Sequence, residues 1–287
     1  MNAEPPAPQE SLRCGVVGDP IAHSLSPALH RAGYAALTLP ASYDARRVTA
    51  GGLAAHVAGL GPQWRGLSVT APLKREALDL ASTATDRARL AGGANTLVRR
   101  AGSDGAWHAD NTDLPGAVAA IRERYDATIS AAVVLGGGAT AASTGLALAE
   151  LGAQRITVAV RDSARAEETV AAIRRHPAGP EVLTVDLGDH VPTDEELVVS
   201  TVPAAAQGPD LVARFAPVPV LFEVVYDPWP TPLAAAHSGQ VVTGLDLLVH
   251  QAVLQFELFT GYQGPLAAMR AAGEAALRQR ASRPPQD

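Results

Sequence analysis

"AAVVLGGGATAASTGLALAELG", Ala131 to Gly152, decides the fold class. Five apolar residues form a run of strand length. Three glycines follow at once, and then an alanine-rich stretch long enough for a helix. Gly136, Gly138 and Ala141 fall in a G-x-G-x-x-A spacing, and Gly137, Ala139 and Thr140 complete the turn. Glycines there permit a tight bend and let backbone approach a pyrophosphate, whose charge the helix N-terminus stabilises through free N–H groups. The plainer reading is a strand-to-helix turn with no ligand. The strand "RITVAV" follows the helix, as a dinucleotide-binding unit requires. At its end stand Arg161 and Arg165. Two guanidinium groups there suit the 2′-phosphate of NADP, where an NAD unit has an acidic residue on the ribose. NADP is therefore expected rather than NAD. Asp162 works against this, either by neutralising Arg161 or by binding a ribose.

Outward from this unit the alternation continues. "EVLTVD", "ELVVST" and "VLFEVV" read as strands, and "ARAEETVAAIRR" as a helix. Upstream, "LRCGVVG", "ASYDARRV" and "RGLSVT" read as strands. Ser26 is the expected N-cap of a helix with Pro27 at its first position. Thr49 is the expected cap of "GGLAAHVAGL", and Pro72 opens "PLKREALDLA". "NTLVRR" and "GAWHAD" can pair across the turn "AGSDG". A helix is expected from Leu114 to Arg124, and two more close the chain, near Leu247 to Thr260 and Leu266 to Arg280. The fold class is α/β: an N-terminal, mainly parallel α/β unit plus a Rossmann-like unit.

Size and charge exclude several classes. The chain has 287 residues, enough for two domains, and a net charge of −6, which argues against a nucleic-acid surface. No apolar run reaches the roughly 18 residues of a membrane span. The lone Cys14 leaves no internal disulfide and fits a reducing compartment. "MNAEPPAPQE" reads as a flexible lead rather than a signal peptide, and "RQRASRPPQD" as a frayed tail. A cytoplasmic location is expected.

Several polar residues stand where chemistry could use them. Ser24 and Ser26 in "GDPIAHSLSP" either cap a helix or hold a polyhydroxylated ligand. Lys74 falls in the first turn of a helix, where its charge opposes the dipole. Thr70, Asn95, Asn111, Thr112 and Asp113 gather at strand ends and turns, where Asx-turn and capping roles are the plainer reading. Asp110 and Asp113 could suggest a cation site, but side chains three apart on an extended chain face opposite ways. No metal is expected.

Seven stretches together resemble the shikimate dehydrogenase family, in family order: "GDPIAHSLSPALH", "LSVTAPLK", "GGANTLV", "DNTDLPG", "VLGGGATAA", "VVYDPWPTPL" and "GLDLLVHQA". These enzymes reduce 3-dehydroshikimate to shikimate with NADPH. The resemblance implies a catalytic Lys74–Asp113 pair. It implies substrate contacts from Ser24, Ser26, Thr70, Lys74, Asn95, Asp113, Tyr226 and Gln251. It implies cofactor contacts from Gly136, Gly137, Gly138, Ala139, Thr140, Arg161, Arg165 and Gly244. It also implies a substrate domain from residues 11–113 and 246–287, with an NADP domain, 114–245, inserted between. The partner is a small molecule, with neither nucleic acid nor membrane, and the state a monomer or homodimer.

The sequence departs from the family pattern in places. Ser68 stands where many members have Asn. The loop reads "GGGAT" for G-A-G-G-A, "VRD" replaces N-R-T, and "STVP" replaces a later N-A-T. Ser68 and Asp162 motivate an alternative, a quinate/shikimate or aminoshikimate dehydrogenase. A non-catalytic metabolite sensor is a third reading, opposed by the intact Lys74 and Asp113. His23 is expected to shape its loop, and His30 and His250 to be ordinary helix residues. Trp229 and Tyr226 are expected to form a rigid loop edge.

Overall fold

The computed structural model describes residues 12–99, 105–189 and 194–282. The expected N-terminal lead, most of the "AGSDG" turn and the end of the tail lie outside the described residues. The first half runs β1 (Leu12–Gly18), α1 (Ser26–Ala36), β2 (Ala41–Arg47), α2 (Leu53–Ala58), β3 (Trp64–Val69), α3 (Lys74–Leu80), β4 (Thr83–Ala84), α4 (Asp86–Ala91), β5 (Thr96–Arg99), β6 (Trp107–Asp110) and α5 (Asp113–Arg124). The second runs β7 (Ala131–Leu135), α6 (Ala139–Glu150), β8 (Arg155–Val160), α7 (Glu167–Arg174), β9 (Glu181–Asp186), β10 (Leu197–Ser200), α8 (Pro209–Phe215), β11 (Val220–Glu223), α9 (Pro232–Ala236) and β12 (Gln240–Thr243). Helices α10 (Gly244–Thr260) and α11 (Leu266–Ala281) follow.

The strands form two six-stranded sheets. The second is parallel throughout, in the order β12-β11-β10-β7-β8-β9. Counted from β7, this is the doubly wound order whose ligand crevice opens beyond the strand ends where the order reverses. That reversal lies between β7 and β10, where the glycine turn leaves β7. Strands β7 and β10 are buried along their whole lengths, as strands covered on both faces must be. The first sheet, β2-β1-β3-β5-β6-β4, is mixed: β2, β1 and β3 run parallel, while β5 opposes both β3 and β6. The expected pairing of "NTLVRR" with "GAWHAD" is the β5–β6 pair.

The late helices return to the first sheet. Phe256 and Phe259 of α10 are buried with Cys14, Val16, Leu29 and Tyr43. Each such ring contributes about 1.5–3 kcal/mol relative to exposure. His30, expected to be an ordinary helix residue, is fully buried and stacks on Tyr43 at 4.2 Å between centroids. Burial pulls its pKa down to about 3, so the ring is neutral.

Three expected helix starts differ. Ser26 is the first helical residue, not the cap, and no side chain of its own closes the turn; the Ser24 hydroxyl instead accepts the Ser26 N–H at 3.3 Å. Thr49 does not cap α2. Glu76, distant in sequence, accepts from Gly51 N–H at 2.7 Å and Leu53 N–H at 3.4 Å. Pro72 lies in the turn before α3, and Lys74 is the first helical residue. Strands β4 and β12 and helices α4, α8 and α9 were not expected.

Candidate active site

Lys74 and Asp113 each begin a helix, and the two helices converge. At the start of α5 the Asp113 carboxylate meets unpaired N–H groups and the positive end of the dipole, a favourable place for an anion. Lys74 begins α3, where its charge is opposed, and Asp113 offsets that: Nζ donates to Oδ2 at 2.6 Å. Both residues are buried, 8% and 7% exposed. A charge pair so placed is held only if its remaining lone pairs are also satisfied. Asn95 Nδ2 does this by donating to Asp113 Oδ1 at 2.8 Å.

Asn95 stands just before β5 and is itself saturated. Its Oδ1 accepts the Thr112 N–H at 2.7 Å and the Thr96 hydroxyl at 2.9 Å, and its Nδ2 also reaches Thr112 Oγ1 and Gln251 Oε1. Behind it runs a buried chain that sequence reasoning left without roles. Tyr43 donates to Ser68 Oγ at 2.5 Å, and Ser68 donates to Gln255 Oε1 at 2.6 Å. Gln255 Nε2 donates to Thr96 Oγ1 at 3.0 Å. Gln255 was legible as the residue one helical turn beyond Gln251 on the same face. Tyr43 had no local signal.

These groups line a cavity of about 220 Å³. Every substrate residue named from the sequence is there: Ser24, Ser26, Thr70, Lys74, Asn95, Asp113, Tyr226 and Gln251. Gly244, expected on the cofactor, lines this smaller cavity instead. Its reason for being glycine is steric, since a Cβ would stand 2.1 Å from the Val224 carbonyl oxygen. The Ser24 loop and the Tyr226 loop are tied together. Arg280 of α11 donates to the His23 carbonyl at 2.8 Å and to Asp227 Oδ2 at 3.2 Å. Asp110 is committed elsewhere, to Arg87 and the Thr85 hydroxyl. Burial alone would raise its pKa, but these bonds hold it below the usual carboxylate value. Among the described residues no group of three or more His, Cys, Asp and Glu is arranged to hold a metal.

A second cavity, about 910 Å³, adjoins the first. Gly136, Gly137, Gly138, Ala139, Thr140, Arg161 and Arg165 line it, with Thr201, Val202 and Pro203 on the β10 side. Gly136 has φ +115°, a conformation glycine adopts without strain. A Cβ at Gly138 would meet nothing within 4 Å, so this position leaves the approach to the α6 N-terminus open. Gly137 packs instead: a Cβ there would stand 2.8 Å from that of Ala166. Open glycine backbone, a free helix N-terminus and flanking arginines fit a phosphate-bearing dinucleotide. Asp162 pairs with Arg165 at 3.4 Å, not with Arg161, because the two lie three apart on a turn.

Comparison with known proteins agrees with this architecture. Residues 16–97 match the family profile of the shikimate dehydrogenase substrate binding domain, and residues 244–272 that of the shikimate 5′-dehydrogenase C-terminal domain. Shikimate dehydrogenase (NADP(+)) of Methylobacterium radiotolerans is 38% identical over 261 residues, covering 87% of this chain and 91% of the relative. The crystal structure of Mycobacterium tuberculosis shikimate dehydrogenase is 43% identical, covers 92% of this chain and 99% of its own, and superposes with a TM-score of 0.83. Quinate dehydrogenase from Corynebacterium glutamicum in complex with NAD is 27% identical, covers 92% and 99%, and has a TM-score of 0.82. With more than a third of its residues shared across most of its length, the chain belongs to the shikimate dehydrogenase family.

Proposed function

We propose that this protein is an NADP-dependent shikimate dehydrogenase, reversibly reducing 3-dehydroshikimate to shikimate on the route to chorismate and the aromatic amino acids. The observation that carries the reading is the buried Lys74–Asp113 pair at the junction of two adjoining cavities, one lined by hydroxyls and amides and one by a glycine turn and arginines. The nicotinamide of bound NADPH supplies the hydride. Negative charge then grows on the carbonyl oxygen, and the Lys74 ammonium is the group placed to stabilise it and to give up a proton. Asp113 holds Nζ and accepts from a substrate hydroxyl. Ser24, Ser26 and Thr70 offer hydroxyls to a carboxylate and a ring hydroxyl without adding charge beside Lys74. Asn95 acts mainly by holding Asp113, since its own polar atoms are satisfied within the protein. Tyr226 and Gln251 close the cavity.

The substrate domain is residues 11–113 with 246–287, and the NADP domain is 114–245. Each chain carries a complete set of these groups, so a monomer or a homodimer satisfies the reading. A cytoplasmic location belongs to the same proposal. Cys14 suits it: burial pushes its pKa up to about 12, keeping the thiol protonated.

Initial rates of nicotinamide absorbance, with shikimate or quinate and NADP⁺ or NAD⁺, test this reading. Shikimate with NADP⁺ is expected to give the highest kcat/KM of the four. The alternative, a quinate dehydrogenase using NAD, draws on Asp162, which occupies Arg165. A preference for quinate with NAD⁺ would establish it in place of the first.

Arg161 carries the cofactor choice, because Asp162 leaves it unpaired among the described residues. Arg161→Ala is expected to lower kcat/KM for NADP⁺ by about 10- to 100-fold, the worth of a charged hydrogen bond to phosphate. The value for NAD⁺ should stay within about 2-fold. Equal losses with both cofactors would remove Arg161 from 2′-phosphate recognition.

A further inference from the structure

Among the described residues, Lys74 and Thr140 alone line both cavities. They touch: Lys74 Nζ donates to Thr140 Oγ1 at 3.3 Å. We propose that Thr140 is a positioning residue for Lys74, and that its hydroxyl couples the dinucleotide cleft to the substrate cavity. This rests on the functional reading above.

An ammonium has three N–H donors in tetrahedral array. Asp113 Oδ2 takes one and Thr140 Oγ1 a second. Two anchors on different helices, α5 and α6, fix the direction of the third, which is left for a ligand. Asp113 alone would leave Nζ free to rotate about a single bond. Thr140 thus turns a tethered charge into an aimed donor.

The frame around the contact is stiff. Asn111, 1% exposed, donates from Nδ2 to Ser143 Oγ at 3.0 Å and to the Gly93 carbonyl at 2.9 Å. Ser143 lies one turn beyond Thr140 in α6. The next N–H, that of Ala94, donates to the Lys74 carbonyl at 2.7 Å. One short loop therefore grips the backbone of Lys74 and, through Asn111, the second turn of α6. Arg75, the neighbour of Lys74, pairs with Glu168 of α7 across the same cleft. The separation of Lys74 and Thr140 is set by these elements.

The Thr140 hydroxyl also has a proton to give. It accepts from Lys74, and no acceptor takes its own hydrogen among the described residues. Thr140 is the second residue of α6, where backbone N–H groups lack intrahelical partners. An anion held by that turn can accept the hydroxyl proton. Chained hydrogen bonds polarise one another, so Oγ1 then becomes a better acceptor for Lys74. Occupancy of the cleft is in this way felt at Nζ.

Thr140→Val removes the hydroxyl and keeps the branched shape, while Thr140→Ser keeps the hydroxyl. Calorimetric titration of the whole chain measures shikimate and NADP⁺ binding singly, then shikimate binding with NADP⁺ saturating. In the unaltered protein, NADP⁺ is expected to tighten shikimate binding by about 5-fold or more. In Thr140→Val that ratio should fall to within about 2-fold of unity, and NADP⁺ binding measured alone should weaken by about 10-fold or more, because the lost hydroxyl also donates to the anion held by the turn. kcat should fall by about 3- to 10-fold, the worth of one long hydrogen bond between the Lys74 ammonium and the hydroxyl. Thr140→Ser should restore both the ratio and kcat. The proposal fails if Thr140→Val keeps the coupling and kcat, if the unaltered protein shows no coupling, or if Ser behaves as Val does. A parent protein binding neither shikimate nor NADP⁺ would overturn the functional reading itself, and this proposal with it.

Discussion

Replacing Lys74 by alanine is expected to lower kcat for shikimate oxidation by about 10³-fold or more while the protein stays folded. Removing one preorganised donor to a developing oxyanion costs about 10²–10³ in rate, and loss of a positioned proton donor costs about 10²–10⁴. Lys74 is the cation placed to do both. Among the described residues, the only other charged side chain lining the smaller cavity, histidine aside, is Asp113, whose charge has the wrong sign. Alanine also leaves the Asp113 carboxylate buried without its cation, although Asn95 still donates to it. Circular dichroism and thermal unfolding separate that structural cost from the chemical one. Asp113→Asn should be milder, since the amide oxygen can still accept from Nζ. A folded Lys74→Ala protein turning over within 10-fold of the parent would remove Lys74 from the chemistry.

Asp246→Ala is expected to cause the largest loss of stability. Asp246 is 1% exposed and sits in the first turn of α10. Its carboxylate accepts from Thr243 N–H at 3.0 Å and from the Thr243 hydroxyl at 2.8 Å. The Thr243 hydroxyl in turn accepts the Asp246 N–H, which completes a capping box. Oδ1 also accepts from Arg124 of α5 at 2.9 Å and Arg270 of α11 at 2.6 Å. One side chain therefore ties three helices, and its removal leaves two guanidinium groups without that carboxylate. Breaking a buried pair costs about 3–5 kcal/mol, which should lower Tm by on the order of 10 °C. Burial alone would raise the Asp246 pKa, but Arg124, Thr243 and Arg270 hold it at about 2. A carboxyl held below its unfolded value stabilises the protein above pH about 4. That contribution is lost as pH falls toward 2. The alanine variant should therefore show a flatter acid limb than the parent. A variant melting within about a degree of the parent would show that the cluster carries no net stability.

The doubly wound half was readable because its strands carry their burial in composition. "AAVVL", "RITVAV" and "ELVVST" are apolar runs, and the glycine turn follows the first directly. Helices α8 and α9 were missed because seven and five residues give almost no periodic signal. Strand β4, at two residues, gives none. The capping residues were misplaced for another reason. Ser24 and Ser26 are interchangeable until the first helical residue is known, and a sequence fixes that boundary only loosely. Glu76 caps α2 from 25 residues beyond Gly51, a contact no local pattern carries. The same applies to the site. Motif order brought the eight substrate positions to one cavity, yet the Tyr43–Ser68–Gln255 chain behind them joins three distant segments. It emerges only when β2, β3 and α10 pack together. Ser68, noted as a departure from the family, is bonded on both sides within that chain.

A crystal structure of the protein with shikimate bound tests the central claim most directly. Shikimate is expected in the smaller cavity, with one ring hydroxyl within hydrogen-bonding distance of both Lys74 Nζ and Asp113, and the carboxylate against Ser24 and Ser26. Shikimate bound there with Lys74 turned away, or bound elsewhere on the chain, would contradict the account.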